Sequence, residues 1–380
     1  MNLSDITHDS FCVAPWVNLH VSTLQYTKPC CGGKGFDSDG LSGSDWNYFE
    51  KSNHKLIEIK QELLAGQIPK YCAVCKGERE WYKGFTQQPL TITNIDDFVL
   101  QSIDARWNNT CQLSCTYCNS NDSSKWAQLQ SKKYVESEPY RISQNNIDKI
   151  YQLVADNNIK RVSMIGGEPL LIKENIKLLK VLSDSTGIEI FTNLNVELKG
   201  NKLFEQLVQR TNVQWYVSME TVGERFEFVR RGAVWSQQVH NLKKLTTESK
   251  GNVNLQSQYC VYNALHLYEL YEFAEQYPQL HINWSVLTGP EYLNFFNFPK
   301  IFKQQALLQI DQCVNKWPDK THKLELIRQK LINSMDTEIP NMVEKCIKWH
   351  QDQETKFFNN RFDFVKLWPE YQTVNQITCT

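Results

Sequence analysis

The run Val99-Leu-Gln-Ser-Ile-Asp-Ala-Arg-Trp107-Asn-Asn-Thr-Cys111-Gln-Leu-Ser-Cys115-Thr-Tyr117-Cys118 decides the fold. A β-rich stretch, 99–107, empties into a loop with three cysteines inside eight residues. The same rhythm then repeats. Further strand-like runs fall at 160–165, 188–192, 213–219, 253–261 and 281–287. Amphipathic stretches at 146–156, 176–183, 203–210, 237–246 and 266–276 separate them. Strands that alternate with helices read as parallel βα units. Right-handed crossovers curl such units into an open or partial barrel, with functional residues at the C-terminal strand ends. The predicted fold class is therefore α/β: a partial (β/α)6 TIM-like barrel.

The barrel pattern covers residues 98–298. Before it, residues 1–97 are rich in turns, with one helical stretch at 53–65. After it, 299–380 reads as a helical C-terminal extension whose last apolar residues, Phe362, Phe364, Leu367, Trp368 and Tyr371, are aromatic enough to be expected to pack back on the body. Lys+Arg 41 against Asp+Glu 42 leaves a net charge of −1, so no bulk basic field draws the chain to nucleic acid or anionic lipid. No apolar run reaches the roughly 18 residues of a membrane span. The polar start, residues 1–10, lacks a signal-peptide pattern, and a cytoplasmic location is expected. Twelve cysteines in 380 residues are too few for a disulfide scaffold. Clustered thiols in a reducing compartment hold metal or do chemistry instead.

Eight of those cysteines precede residue 119. Cys111, Cys115 and Cys118 can converge on one face of a short loop. Structural zinc takes four protein ligands, and a cubane iron–sulfur cluster normally takes four cysteines. Three cysteines leave one iron open to a small molecule, or a zinc whose fourth ligand comes from elsewhere. In the N-terminal region Cys12, Cys30, Cys31, Cys72 and Cys75 offer five thiols for four positions, suiting zinc or iron–sulfur. His20 reads as a ligand or a packing residue. Cys260, Cys313, Cys346 and Cys379 are far apart and read as structural.

The C-x3-C-x2-C loop after the first strand resembles the radical S-adenosylmethionine (SAM) superfamily. So does Ile165-Gly166-Gly167-Glu168-Pro169 at the end of the second strand, and Trp215-Tyr-Val-Ser218-Met-Glu220 at the end of the fourth. The resemblance implies a [4Fe–4S] cluster on Cys111, Cys115 and Cys118, with SAM chelating the open iron. Gly166 and Gly167 would let the backbone approach SAM closely, and Glu168 would take its ammonium. Tyr117 would lie beside the adenine. Asn193 would meet the ribose, or serve as a turn residue. Ser218 and Arg230 would meet the carboxylate, with Arg231 hard to separate from Arg230. Gln258 is a further candidate.

The N-terminal cysteines resemble the twitch module of N-terminal-twitch radical SAM proteins common in bacteriophages, which would place the protein in the host cytoplasm. The resemblance implies a second, auxiliary [4Fe–4S] cluster on Cys12, Cys30, Cys72 and Cys75, with Cys31 spare. It also implies a reductant such as flavodoxin or ferredoxin, and most often a peptide or protein substrate. A nucleotide or DNA base is the alternative substrate. A non-catalytic metal-binding interaction protein is the alternative of another class.

Overall fold

The structure, a computed structural model, describes residues 2–6, 10–21, 27–30, 54–75, 91–131 and 142–376. Cys31, Cys379 and the Cys75 side chain lie outside the described residues. The chain divides into two compact units. One comprises Met1–Cys111, Ser120–Ser124 and Lys133–Phe191; the other comprises Gln112–Asn119, Lys125–Lys132 and Thr192–Thr380.

The first unit is built on strands β1 (Asn18–Val21), β2 (Thr27–Lys28), β3 (Ser102–Ala105), β4 (Arg161–Met164) and β5 (Gly187–Thr192). Their order is β2-β1-β3-β4-β5. Only the β1–β2 pair is antiparallel; β1–β3, β3–β4 and β4–β5 are parallel. β3, β4 and β5 are the first three predicted strands. β1 is an addition, four residues from the turn-rich N-terminal segment that join the sheet beside β3.

Alternation along these strands sorts two faces. Leu19, Val21, Ile103, Ala105, Val162, Met164, Ile188 and Ile190 are all buried. The helix Gln144–Asp156 buries Ile147, Ile150 and Val154, and the helix Lys173–Val181 buries Leu178 and Leu179. Full burial of each such side chain contributes roughly 1.5–3 kcal/mol. Ser143 caps the first helix, its hydroxyl accepting the Asn146 N–H. The opposite face is polar. His20, Asp104, Ser163 and Glu189 occupy one register row across β1, β3, β4 and β5. Asp104 lies 3.5 Å from the His20 ring and accepts from Arg161 at 3.2 Å, and Arg161 reaches Glu189 at 2.6 Å. Burial alone would raise the Asp104 carboxyl, but His20 and Arg161 hold it below the usual carboxylate range.

The second unit carries β6 (Val213–Ser218), β7 (Asn252–Tyr259) and β8 (His281–Val286), all parallel. These are the remaining three predicted strands. Val213, Trp215 and Val217 are buried, while Gln214, Tyr216 and Ser218 between them are half-buried. Helices Lys202–Leu207, Trp235–Glu248 and Leu267–Glu275 intervene, and Asn201 caps the first by accepting the Phe204 N–H. β2 and β8 each have a single neighbour among the described residues, so the strands form an open α/β array and not a closed barrel.

From residue 300 on, helices Lys300–Lys316, Leu324–Asn333 and Met342–Phe357 follow. The terminal aromatics fold back within this unit. Trp368 donates to the Tyr262 carbonyl at 3.1 Å and Tyr371 to the Val261 carbonyl at 2.7 Å. Among the described residues no helix is long and apolar enough to cross a membrane.

Candidate cofactor site

The Gly-Gly-Glu-Pro segment ends β4 in the first unit. Gly166 has φ +123°, a region that side-chain-bearing residues rarely adopt. A Cβ on Gly167 would stand 2.2 Å from the Thr110 carbonyl oxygen. That oxygen accepts the Glu168 N–H at 2.8 Å. The two glycines therefore let the segment pack against the strand-to-loop passage Arg106–Thr110, a reason internal to the protein that the sequence reading did not include. Glu168 is fully buried, and its Oε1 accepts the Leu170 N–H at 3.1 Å. The carboxylate thus caps the short turn Pro169–Leu171.

Cys111 also belongs to the first unit. Ser124 fixes its backbone, the hydroxyl contacting both the Cys111 N–H and carbonyl at 3.1 Å. Asn109 and Asp122 anchor the same passage, through the Ser120 carbonyl and the Arg106 guanidinium.

Cys115 and Cys118 lie in the second unit. The Cys115 carbonyl accepts the Cys118 N–H at 3.0 Å and the Trp126 indole at 2.8 Å. Ser114 and Thr116 donate their N–H groups to Arg231 and Val229, so the loop backbone runs pinned along the end of the helix Gly223–Val229. With the backbone committed, the side chains are what this loop presents.

Below it sits a buried ionic network. Arg230 grips Glu220 with two nitrogens, Nε at 2.9 Å and Nη2 at 2.8 Å. The Tyr117 hydroxyl donates to Glu220 at 2.8 Å, and the Arg230 guanidinium lies 5.4 Å from the Tyr117 ring centre. Arg230 Nη1 lies 3.8 Å from Cys115 Sγ. Burial would lower the Arg230 pKa, but Glu220 outweighs it and keeps the guanidinium charged. Burial likewise pushes the Tyr117 phenol well up, so it stays protonated.

Sequence could not separate Arg230 from Arg231, but their surroundings do. Arg231 pairs with buried Glu354 and lies over the rings of Phe228, Phe358 and Phe362. Asn193 accepts the Asn195 N–H at 2.8 Å and the Gln112 amide at 3.0 Å, which gives it a turn-forming role. Ser218, at the end of β6, and Gln258, on β7, are half-buried. Glu220, quoted in the fourth-strand segment without a role of its own, and Gln112 are further residues of this site. A carboxylate two residues past a strand end was the available signal for Glu220.

Cys12, Cys30 and Cys72 are half-buried in the first unit. His20 sits beside Asp104 on the polar sheet face. Cys260, Cys313 and Cys346 are buried. Among the described residues no group of three or more His, Cys, Asp or Glu side chains is gathered closely enough to hold a metal ion.

Residues 107–255 match the model of the radical SAM superfamily. The match takes in the three-cysteine loop, the Gly-Gly-Glu-Pro segment and Ser218. The chain is 23% identical over 291 residues to the sporulation killing factor maturation protein SkfB of Bacillus subtilis, covering 72% of this chain and 66% of that protein. It is 35% identical over 91 residues to 7-carboxy-7-deazaguanine synthase of Clostridium acetobutylicum, covering 23% of this chain and 36% of that protein. The chain thus spans less than two thirds of either relative. It is also similar to the crystal structure of Streptococcus suis SuiB bound to precursor peptide SuiA, with TM-score 0.43, 15% identity and coverage of 69% of this chain and 63% of that chain.

Proposed function

We propose that the chain is a radical SAM enzyme that removes a hydrogen atom from a C–H bond of a peptide or protein. The superfamily match across Cys111–Cys118, Gly166–Glu168 and Ser218 carries the reading. Cys111, Cys115 and Cys118 are the proposed cluster ligands. The donor type suits an iron–sulfur cluster: three thiols on a loop whose backbone is tied down at Cys111 and Cys115, with one guanidinium nitrogen directed at the Cys115 sulfur. A [4Fe–4S] cluster bound there supplies the one-electron reduction that splits SAM into methionine and a 5′-deoxyadenosyl radical.

The rest falls to the chain's own residues. Glu168, buried and turn-capping, is the proposed acceptor for the SAM ammonium, next to the backbone of Gly166 and Gly167. Ser218 is assigned to the carboxylate, with Arg230 held by Glu220 close by. Tyr117, Asn193 and Gln258 are assigned to the adenosine side. The chain must keep water from the reacting carbon, since a primary carbon radical attacks what it meets.

We assign 1–97 as the module for the second cluster, on Cys12, Cys30, Cys72 and Cys75, 98–298 as the catalytic part and 299–380 as the helical extension. Flavodoxin or ferredoxin is the proposed reductant, in a reducing cytoplasm. The relative that matures a sporulation killing factor supports a macromolecular substrate. The relative that makes 7-carboxy-7-deazaguanine supports a nucleobase as the second reading. Neighbouring genes separate the two: a short precursor-peptide gene favours the first, and nucleotide-modification genes the second.

Iron analysis tests the cluster assignment. Anaerobically reconstituted protein should carry about eight irons per chain, and the Cys111→Ala/Cys115→Ala/Cys118→Ala variant about four. One cluster plus zinc removes the auxiliary iron–sulfur cluster from the proposal. No iron on the three-cysteine loop overturns the proposal.

A further inference from the structure

Glu220 and Arg230 are 1% and 7% exposed, so this ion pair is sealed inside the second unit. A guanidinium offers five N–H donors in a rigid planar fork. Two arms of the Arg230 fork are fixed on Glu220, and the Tyr117 hydroxyl donates to the same carboxylate oxygen that Nη2 holds. The plane cannot swing without breaking both bonds. Its remaining nitrogen, Nη1, therefore stays where the fork puts it, 3.8 Å from Cys115 Sγ. The sulfur thus faces an N–H donor on a fixed cation, and the pair is rigid because a carboxylate locks it.

We infer that Arg230, locked by Glu220, is the positioning residue that sets the electron affinity of the group bound at Cys115. The inference rests on the reading that Cys115 carries the SAM-binding cluster. Hydrogen bonds to cluster sulfurs and local net charge set reduction potentials. Adding an electron makes the cluster more negative. Arg230 stabilises that state through N–H···S contact and charge, and Glu220 opposes it by charge while holding Arg230 in line. The sulfur, the donor and the lock together form a balanced device, in which either charge can be altered with an opposite effect.

The test is a redox titration of the anaerobically reconstituted protein, followed by the electron paramagnetic resonance signal of the reduced cluster. Glu220→Gln keeps the shape and one acceptor while removing the opposing charge. Its midpoint should move to a more positive potential than that of the unaltered protein. Glu220→Gln/Arg230→Gln removes both charges without stranding a buried ion, and its midpoint should fall below that of Glu220→Gln alone. A residue that merely supports the fold would not raise the midpoint when Glu220 alone is changed and bring it down again when Arg230 is changed as well. Unaltered protein that titrates normally, with both variants at the same midpoint or displaced in the reverse order, overturns the inference and leaves the enzyme reading standing. Iron-loaded protein in which Cys111, Cys115 and Cys118 hold no reducible cluster overturns both.

Discussion

Gly167 and Thr110 are in backbone contact so close that a Cβ on the glycine would stand 2.2 Å from the Thr110 carbonyl oxygen. The segment that ends β4 and the passage leading into the cysteine loop are thus fitted to each other before any ligand is considered. Gly167→Ala should force them apart. Overpacking costs about 1–3 kcal/mol, and SAM affinity should drop with it. Gly187→Ala is the control, since its Cβ would meet only the Lys160 carbonyl, at 3.4 Å. Thermal melts of the two variants check this; equal melting temperatures would refute the packing argument.

Glu168 has two tasks, capping the turn and meeting SAM, and two substitutions separate them. Glu168→Gln retains an oxygen for the Leu170 N–H and removes the charge. It should keep the fold and the cluster absorbance while weakening SAM binding by roughly ten- to a hundredfold, the loss of a charged hydrogen bond of about 1.5–3 kcal/mol. Glu168→Ala should lose stability as well. Calorimetric SAM titration reads the first effect, and an unchanged dissociation constant in Glu168→Gln would show that this carboxylate does not meet the ligand.

His350 makes stability depend on acid. It is buried, bonded to the Tyr262 hydroxyl at 2.8 Å and the Cys346 carbonyl at 2.7 Å, and stacked on Phe364 at 4.0 Å. Burial pulls its pKa from 6.5 down to about 3. The unfolded chain therefore takes up a proton below about pH 6.5 that the folded chain refuses until about pH 3. Stability falls through that window by up to about 1.4 kcal/mol per pH unit. His350→Gln should be less stable at pH 7 and show a shallower loss on moving to pH 5. Denaturant unfolding at the two pH values measures the difference, and parallel slopes would remove His350 from the account.

The fold was legible where apolar alternation was long. All six predicted strands exist, and the alternation is plainest in β5, β6 and β7, where buried positions alternate with more exposed ones. β1 escaped notice. It is four residues long, and Asn18 and His20 face polar partners, so Leu19 and Val21 alone carry the pattern. In the candidate site, residue types were legible and pairings were not. Nothing in the spacing says that Glu220 takes Arg230 while Arg231 takes Glu354 across 123 residues, nor that Gln112 locks Asn193. Those pairings are set by how the chain packs.

Cys30 and Cys31 give a further prediction about the N-terminal module. Adjacent side chains in extended backbone point to opposite sides, so one should bind the auxiliary cluster and the other should not. Cys30→Ala should lose that cluster, about four irons, and Cys31→Ala should keep it. Iron counts on both variants decide the matter. The reverse pattern would exchange the two residues and leave the two-cluster proposal intact.

The central claim is that the Cys111–Cys118 loop supports reductive cleavage of SAM. The direct measurement is chromatography of the products after anaerobic incubation of reconstituted protein with dithionite and SAM. The account predicts 5′-deoxyadenosine from the unaltered protein and none from Cys115→Ala. Intact SAM after prolonged incubation, in protein shown to carry the cluster, would contradict it.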